Sequence, residues 1–266
     1  MSSIARNNVT IMGRGQQVLL FSHGFGCDQN MWRYITPWFL DKYKIVLFDH
    51  VGAGNSDLAA YDKVKYSTLG GYADDVLDIC RELNLHDIIF VGHSVGAMIG
   101  ILSAIREPSY FAKLILIGPS PCYINEQGYI GGFELSDIEA VLKFMDNDYH
   151  DWAYTFASLI MGNPYQPAFG TELAESFCNT NPLILKQFAR VAFLSDNRTD
   201  LAKLQTKCLI LQCSEDLIAP IEVGEYMYQA LQDATIVYLK ATGHCPNLSA
   251  PLETTEAIES FLLQEM

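Results

Sequence analysis

Positive charge is scarce in this 266-residue chain: 17 Lys and Arg stand against 31 Asp and Glu, a formal net charge of -14. That balance argues against nucleic acid and against anionic membrane surfaces as partners. It also disfavours polyanionic substrates. No run of eighteen apolar residues occurs, so no transmembrane helix is expected. Met1–Asn8 carry no apolar core of the kind a secretory signal needs, and none is expected there. The seven cysteines show no C-x-x-C spacing. An odd, dispersed set predicts reduced, mostly buried thiols and a cytoplasmic protein. There is no H-E-x-x-H and no Cys/His cluster, so neither a metal nor a cofactor is expected. No internal repeat or low-complexity linker appears.

What is present is apolar residue, half of the chain, enough for a substantial core. Val18–Phe21, Ile45–Phe48, Ile88–Val91 and Leu114–Ile117 are continuous apolar runs, as parallel strands covered on both faces require. Helical patterns lie between them: Met31–Leu40, Tyr72–Leu83 and a run after Ser94. In Tyr72–Leu83, the residues Val76, Leu77, Cys80 and Leu83 form the apolar stripe, with Asp74, Asp75, Asp78 and Arg81 off it. Such alternation predicts an α/β fold with a mostly parallel central sheet flanked by helices. From Pro121 to Ser195 the pattern turns wholly helical: Glu134–Asn147, Tyr149–Met161, Glu172–Cys178 and Pro182–Leu194. This stretch is rich in aromatics and reads as a cap (121–195) inserted into a core domain made of 1–120 and 196–266. Strands resume at Cys208–Leu211 and Ile236–Leu239, and the helix Leu252–Leu263 closes the chain.

The chemistry centres on Gly92-His93-Ser94-Val95-Gly96. A G-x-S-x-G pentapeptide alone arises by chance in roughly one in ten chains of this length. Here a strand precedes it and a helix follows it. That setting places Ser94 on a sharp turn, where a Cβ at either glycine would strike neighbouring backbone. A serine nucleophile needs a base and a group that orients the base. His244 follows the last strand, at the sheet edge where catalytic groups gather in open α/β sheets. Asp216 and Glu215 both end the preceding strand, and Asp216 is favoured because it leads directly into the turn toward Pro220. The order Ser94, Asp216, His244 is that of the α/β-hydrolase arrangement. The oxyanion hole is assigned to the backbone N–H groups of Val95 and of Phe25, in the loop His23-Gly24-Phe25-Gly26. His93 and His23 are read as structural supports, His86 and His150 as surface residues, and His50 as a residue near the pocket.

The stretches HGFGCDQNMW (23–32), FDHVGAGNSD (48–57), FVGHSVGAMIG (90–100), GPSPCYIN (118–125), GGFE (131–134), ILQCSEDLIAP (210–220) and GHCPNLSAP (243–251) span nearly the whole chain. They resemble the α/β-hydrolase branch that holds the bacterial stress regulator RsbQ and the plant karrikin and strigolactone receptors. GPSPCY, ILQC and GHCP look closer to the bacterial side. The resemblance implies a four-helix V-shaped cap over a deep apolar pocket lined by Tyr123, Phe133, Trp152, Phe156 and Phe193. It implies a cofactor-free serine hydrolase acting on a small hydrophobic ester or lactone. It equally implies a sensor that binds or slowly hydrolyses such a ligand and engages a protein partner. That partner is a PAS-containing phosphatase in the bacterial case and ubiquitin-ligase components in the plant case. Dehalogenase and epoxide hydrolase chemistry needs a carboxylate nucleophile, and position 94 is serine. Carbon–carbon bond hydrolases share the triad and stay open.

Overall fold

A computed structural model of the chain describes residues 1–263. Seven strands form one sheet in the order β1-β3-β2-β4-β5-β6-β7. They are β1 (Thr10–Met12), β2 (Val18–Ser22), β3 (Lys44–Leu47), β4 (Ile88–His93), β5 (Phe111–Ile117), β6 (Lys207–Glu215) and β7 (Ala234–Thr242). Every neighbouring pair is parallel except β1 with β3. Every residue of β2 and β4 is buried, which is why they read as unbroken apolar runs. β7 is the outer edge, and Tyr238 on it is half exposed.

Among the described residues, eight helices of ten or more residues accompany this sheet: α1 (Leu69–Glu82), α2 (Val95–Arg106), α3 (Leu135–Asn147), α4 (Tyr149–Met161), α5 (Pro167–Asn179), α6 (Pro182–Phe193), α7 (Ile221–Ala230) and α8 (Pro251–Leu263). Helices α3 to α6 all lie between β5 and β6. Among the described residues from 121 to 195 there is no strand, only isolated bridges such as Ile124 with Phe133. α4 packs along α5, and α3 touches both α4 and α6.

Three expectations need correction. The helix expected over Met31–Leu40 is two short 3-10 turns, Gln29–Trp32 and Thr36–Trp38. Pro37 explains the break: it has no N–H to continue a helical ladder. Asp75 does not sit on the wet face of α1. It is fully buried, paired with Arg6 at 2.9 Å and with Lys65, and accepts the Tyr66 hydroxyl at 2.8 Å. Two cations and a phenol compensate its desolvation. The helix expected from Glu172 begins at Pro167, where proline suits the first helical turn.

Register is what positions the site. Ser22 pairs with Gly92, His93 with Ile117, Ile117 with Leu211 and Glu215 with Thr242. The carboxyl ends of β2, β4 and β5 therefore finish within a residue of one another, while β6 and β7 run on past them to Glu215 and Thr242. Among the described residues, no helix is long and apolar enough to cross a membrane. The seven cysteines are all unpaired, and all but Cys178 are buried.

Candidate active site

Ser94 occupies the corner between β4 and α2 with φ 54° and ψ -124°, a conformation L-residues rarely adopt. Such backbone strain costs about 1–3 kcal/mol and persists only where the surroundings enforce it. Its two glycines show how. A Cβ on Gly92 would lie 2.6 Å from Ala97 Cα, and one on Gly96 would lie 2.5 Å from the His23 carbonyl oxygen. Both distances are below real van der Waals contact. Gly96→Ala should therefore lower stability by about 1–3 kcal/mol and depress activity, since the strained neighbour is the loop after β2. Urea unfolding and an ester assay on the same sample would read both effects.

The Ser94 hydroxyl donates to His244 Nε2 at 2.7 Å. His244 Nδ1–H in turn donates to Asp216 Oδ2 at 2.7 Å. All three side chains are buried. The other Asp216 oxygen accepts the N–H groups of Ile218 at 2.8 Å and Ala219 at 3.0 Å. Burial alone would raise this carboxyl. The His244 ring and those two N–H groups outweigh it and hold Asp216 below its ordinary value. Glu215 is exposed, and its carbonyl accepts the Gly243 N–H at 2.7 Å, tying the ends of β6 and β7 together.

Val95 is the first residue of α2, so its N–H has no acceptor within the helix. Phe25 lies in the facing loop. Among the described residues, neither N–H donates to a backbone carbonyl. Ser94 directly precedes α2 and so lies at the positive end of that helix.

The other histidines brace this frame. His93 Nε2–H donates to the His244 carbonyl at 2.7 Å. Burial, then the neighbouring His244, push its ring down to about 3, so it is neutral. His23 Nδ1–H donates to the Gly24 carbonyl at 2.9 Å, and its Nε2 accepts the His50 N–H at 3.0 Å. His50 is not a pocket residue. It is buried behind the loop after β2, with Nε2 near Ser22 Oγ and the His23 carbonyl, and its ring packs on Phe48 and Tyr72. His86 and His150 are exposed.

A small cavity opens over Ser94, walled by Phe25, Tyr123, Ile160, Leu173, Phe193 and Ile218 together with the two thiols Cys27 and Cys245. Of the aromatics expected to line it, Tyr123 and Phe193 do so. Trp152 and Phe156 stand one layer back: they stack on each other at 5.5 Å, and Phe156 meets Phe193 at 5.6 Å. Phe133 is not in the wall either, because its backbone pairs with Tyr123 and Asn125 and its ring lies half-buried against the core. Phe177 and Phe188, which belong to the aromatic-rich stretch read as a cap but not to the expected pocket lining, pack directly on Phe25 at 5.6 and 5.7 Å. Ile160, Leu173 and Ile218 were also missed. Ile218 could have been found, since it lies two residues beyond Asp216 in the same turn.

Tyr123 brings its hydroxyl to 3.4 Å from Ser94 Oγ. Ser94 gives its own proton to His244, so Tyr123 is the donor here. Burial pushes this phenol up to about 12, which keeps it protonated. Tyr123→Phe keeps the ring against Phe193 and removes the donor. It should cut kcat/KM about tenfold with no change in melting temperature, as befits one modest hydrogen bond. Steady-state kinetics and a thermal melt decide this.

Helices α4 and α5 hydrogen-bond directly to the loops after β7 and β2. The Ser176 hydroxyl donates to the Gly26 carbonyl at 2.6 Å, and the His244 N–H donates to the Ile160 carbonyl at 2.9 Å.

Comparison with known proteins agrees with this geometry. A family model described as alpha/beta hydrolase family matches residues 19–257. Strigolactone esterase D14 of Arabidopsis thaliana is 40% identical over 256 residues, 96% of each chain. Karrikin insensitive 2 receptor CA of Petunia hybrida is 39% identical over 246 residues, 92% of this chain and 91% of that protein. The solved structure of olei00960, a hydrolase from Oleispira antarctica, superposes with a TM-score of 0.97 at 37% identity, covering 99% of this chain and 97% of that one. With a mostly parallel sheet, a strained serine corner and a Ser–His–Asp chain at its carboxyl edge, this chain belongs to the α/β-hydrolase family and is a serine hydrolase.

Proposed function

We propose that the protein cleaves a small hydrophobic ester or lactone without a cofactor, with Ser94 as nucleophile, His244 as base and Asp216 as its orienting acid. One observation carries this: the unbroken hydrogen-bond chain Ser94–His244–Asp216, buried beneath an apolar cavity. Ser94 Oγ attacks the acyl carbon as its proton passes to His244 Nε2. The oxyanion is received by the N–H groups of Phe25 and Val95. The Nε2 proton then goes to the departing oxygen, leaving an acyl-serine. A water, deprotonated by His244, releases the acid and restores Ser94. Asp216 stays ionised throughout and stabilises the imidazolium.

In this reading residues 121–195 form a cap over a core of 1–120 and 196–266, and the four helices α3 to α6 are that cap. The unpaired cysteines suit a reducing compartment such as the cytoplasm. Turnover of p-nitrophenyl acetate should survive a metal chelator unchanged. Loss of activity on chelation would overturn the cofactor-free mechanism.

A second reading is a small-molecule sensor that hydrolyses its ligand slowly and engages a regulatory protein. The likeness to a karrikin receptor supports it. So does the Ile160–His244 hydrogen bond, which joins the helix α4 to the catalytic base. Fast multiple turnover would favour the enzyme. Slow turnover with ligand-dependent binding of a PAS-containing phosphatase, as in the bacterial stress system, would favour the sensor.

A further inference from the structure

Two spaces lie back to back at the base of α5. The inner one, beside Ser94, has a volume of only about 20 Å³. One water needs roughly 10–15 Å³ on the same measure. The outer one is a groove of about 450 Å³ between α5 and the loops after β2 and β3. Cys27 and Leu173 face both spaces. The inner wall is mainly apolar. The outer groove carries Asn30, Asn55 and Asn179 beside Asp28, Glu172 and Glu175. Among the described residues that line it, none is Lys or Arg.

Resting on the reading of Ser94 as nucleophile, and narrowing the hydrophobic part of the substrate to its acyl half, we propose that the substrate is an ester of two unequal halves. A short acyl group, roughly acetyl or propionyl in size, fills the inner chamber. A larger, polar, uncharged or cationic alcohol occupies the outer groove, with Leu173 as the partition between them.

The inner wall resists a longer acyl chain because each of its faces is backed. Phe193 rests on Tyr123 at 5.3 Å and on Phe156 at 5.6 Å. Phe25 rests on Phe177 and Phe188. Ile160 belongs to the helical turn whose carbonyl holds His244. Expanding such a wall displaces packed rings or the base itself. Leu173 differs: it is one aliphatic side chain that lines both spaces, so a change of its rotamer would open one toward the other. The alcohol would then leave Ser94 on the side where amides, hydroxyls and carboxylates can bind it. Glu172 is paired with Arg33 at 2.7 Å, and the remaining carboxylates Asp28 and Glu175 disfavour an anionic alcohol.

The acyl-length series tests this with opposite signs. A wall that yields would reward burial, raising kcat/KM roughly fourfold per added methylene. A wall that resists gives the reverse. On wild-type protein, kcat/KM should fall at least tenfold from acetyl to butyryl, and again to hexanoyl, for esters of one alcohol. Among acetates, a hydroxy-acid ester should react at least tenfold more slowly than a polyol or amino-alcohol ester of similar size. Leu173→Trp should lower kcat/KM for the polyol acetate at least tenfold more than for methyl acetate. Hexanoyl esters cleaved as well as acetyl esters would overturn the proposal, as would a folded Leu173→Trp protein with an unchanged alcohol profile. The wild-type series needs no variant to fold. If no ester of any length is cleaved in a Ser94-dependent way, the reading of the nucleophile itself has failed. If Ser94-dependent cleavage favours long chains, only the proposal of unequal halves has failed.

Discussion

Ser94→Ala should lower kcat/KM on a reactive acetate ester by about 10⁴–10⁶-fold while leaving the protein folded. The size of the effect follows from the role. Ser94 Oγ is the atom that forms the covalent bond, and it sits 2.7 Å from the nitrogen that takes its proton. No neighbouring group can substitute. The two nearest thiols do not, because burial pushes Cys27 up to about 12 and Cys245 well above its ordinary value, keeping both protonated. The Tyr123 phenol is likewise held protonated. The alanine itself removes one oxygen and no packing. If anything it relieves little strain, since the same positive φ is needed at position 94 to pass from β4 into α2. A melting temperature within a few degrees of wild type, with activity gone, is the expected pair of results. Asp216→Asn should follow with about a 10⁴-fold loss, through the wrong His244 tautomer.

The second large effect is on stability in mild acid. His23, His50 and His93 are all buried, and burial is the leading cause that lowers each below its ordinary 6.5, His93 to about 3. In the unfolded chain the same rings titrate near 6.5. Below that pH the unfolded state binds protons that the folded state refuses. Stability is therefore complete above pH 6.5 and is lost as the pH falls beneath it. For His93 alone the loss reaches about 3 kcal/mol by pH 4.5, and His23 and His50 act in the same direction. Against a typical total of about 5–15 kcal/mol this is enough to bring the protein close to unfolding. Urea unfolding at pH 7, 5.5 and 4.5 should show a steep decline. In His93→Gln, which can still donate to the His244 carbonyl, the slope should shrink by about one proton. A flat profile between pH 7 and 4.5 would mean that these rings are not neutral in the fold.

The parts of this molecule that follow short-range rules were readable in advance. The parallel strands β2 to β6 announce themselves as apolar runs because they are covered on both faces. The serine corner and the Asp216 and His244 loops follow from where those strands end. Other features depend on partners distant in sequence. Asp75 looks like a surface residue of α1 until Arg6 and Lys65 fold onto it. β1 is three residues long, too short to show a period, and exists only because β3 offers it an edge. The wall of the cavity is the hardest case. Trp152, Phe156, Phe177 and Phe188 are alike in composition and helical setting. Which of them faces Phe25 and which stands behind is fixed by how α4, α5 and α6 pack, not by local pattern.

The most direct test of the central claim is to trap the intermediate. Wild-type protein mixed with p-nitrophenyl acetate, quenched in acid within the first turnover and mapped by peptide mass spectrometry, should carry one acetyl group on Ser94. The Ser94→Ala protein should carry none and release p-nitrophenol at the background rate. Acetyl on another residue, or unimpaired turnover by Ser94→Ala, would contradict the assignment of the nucleophile.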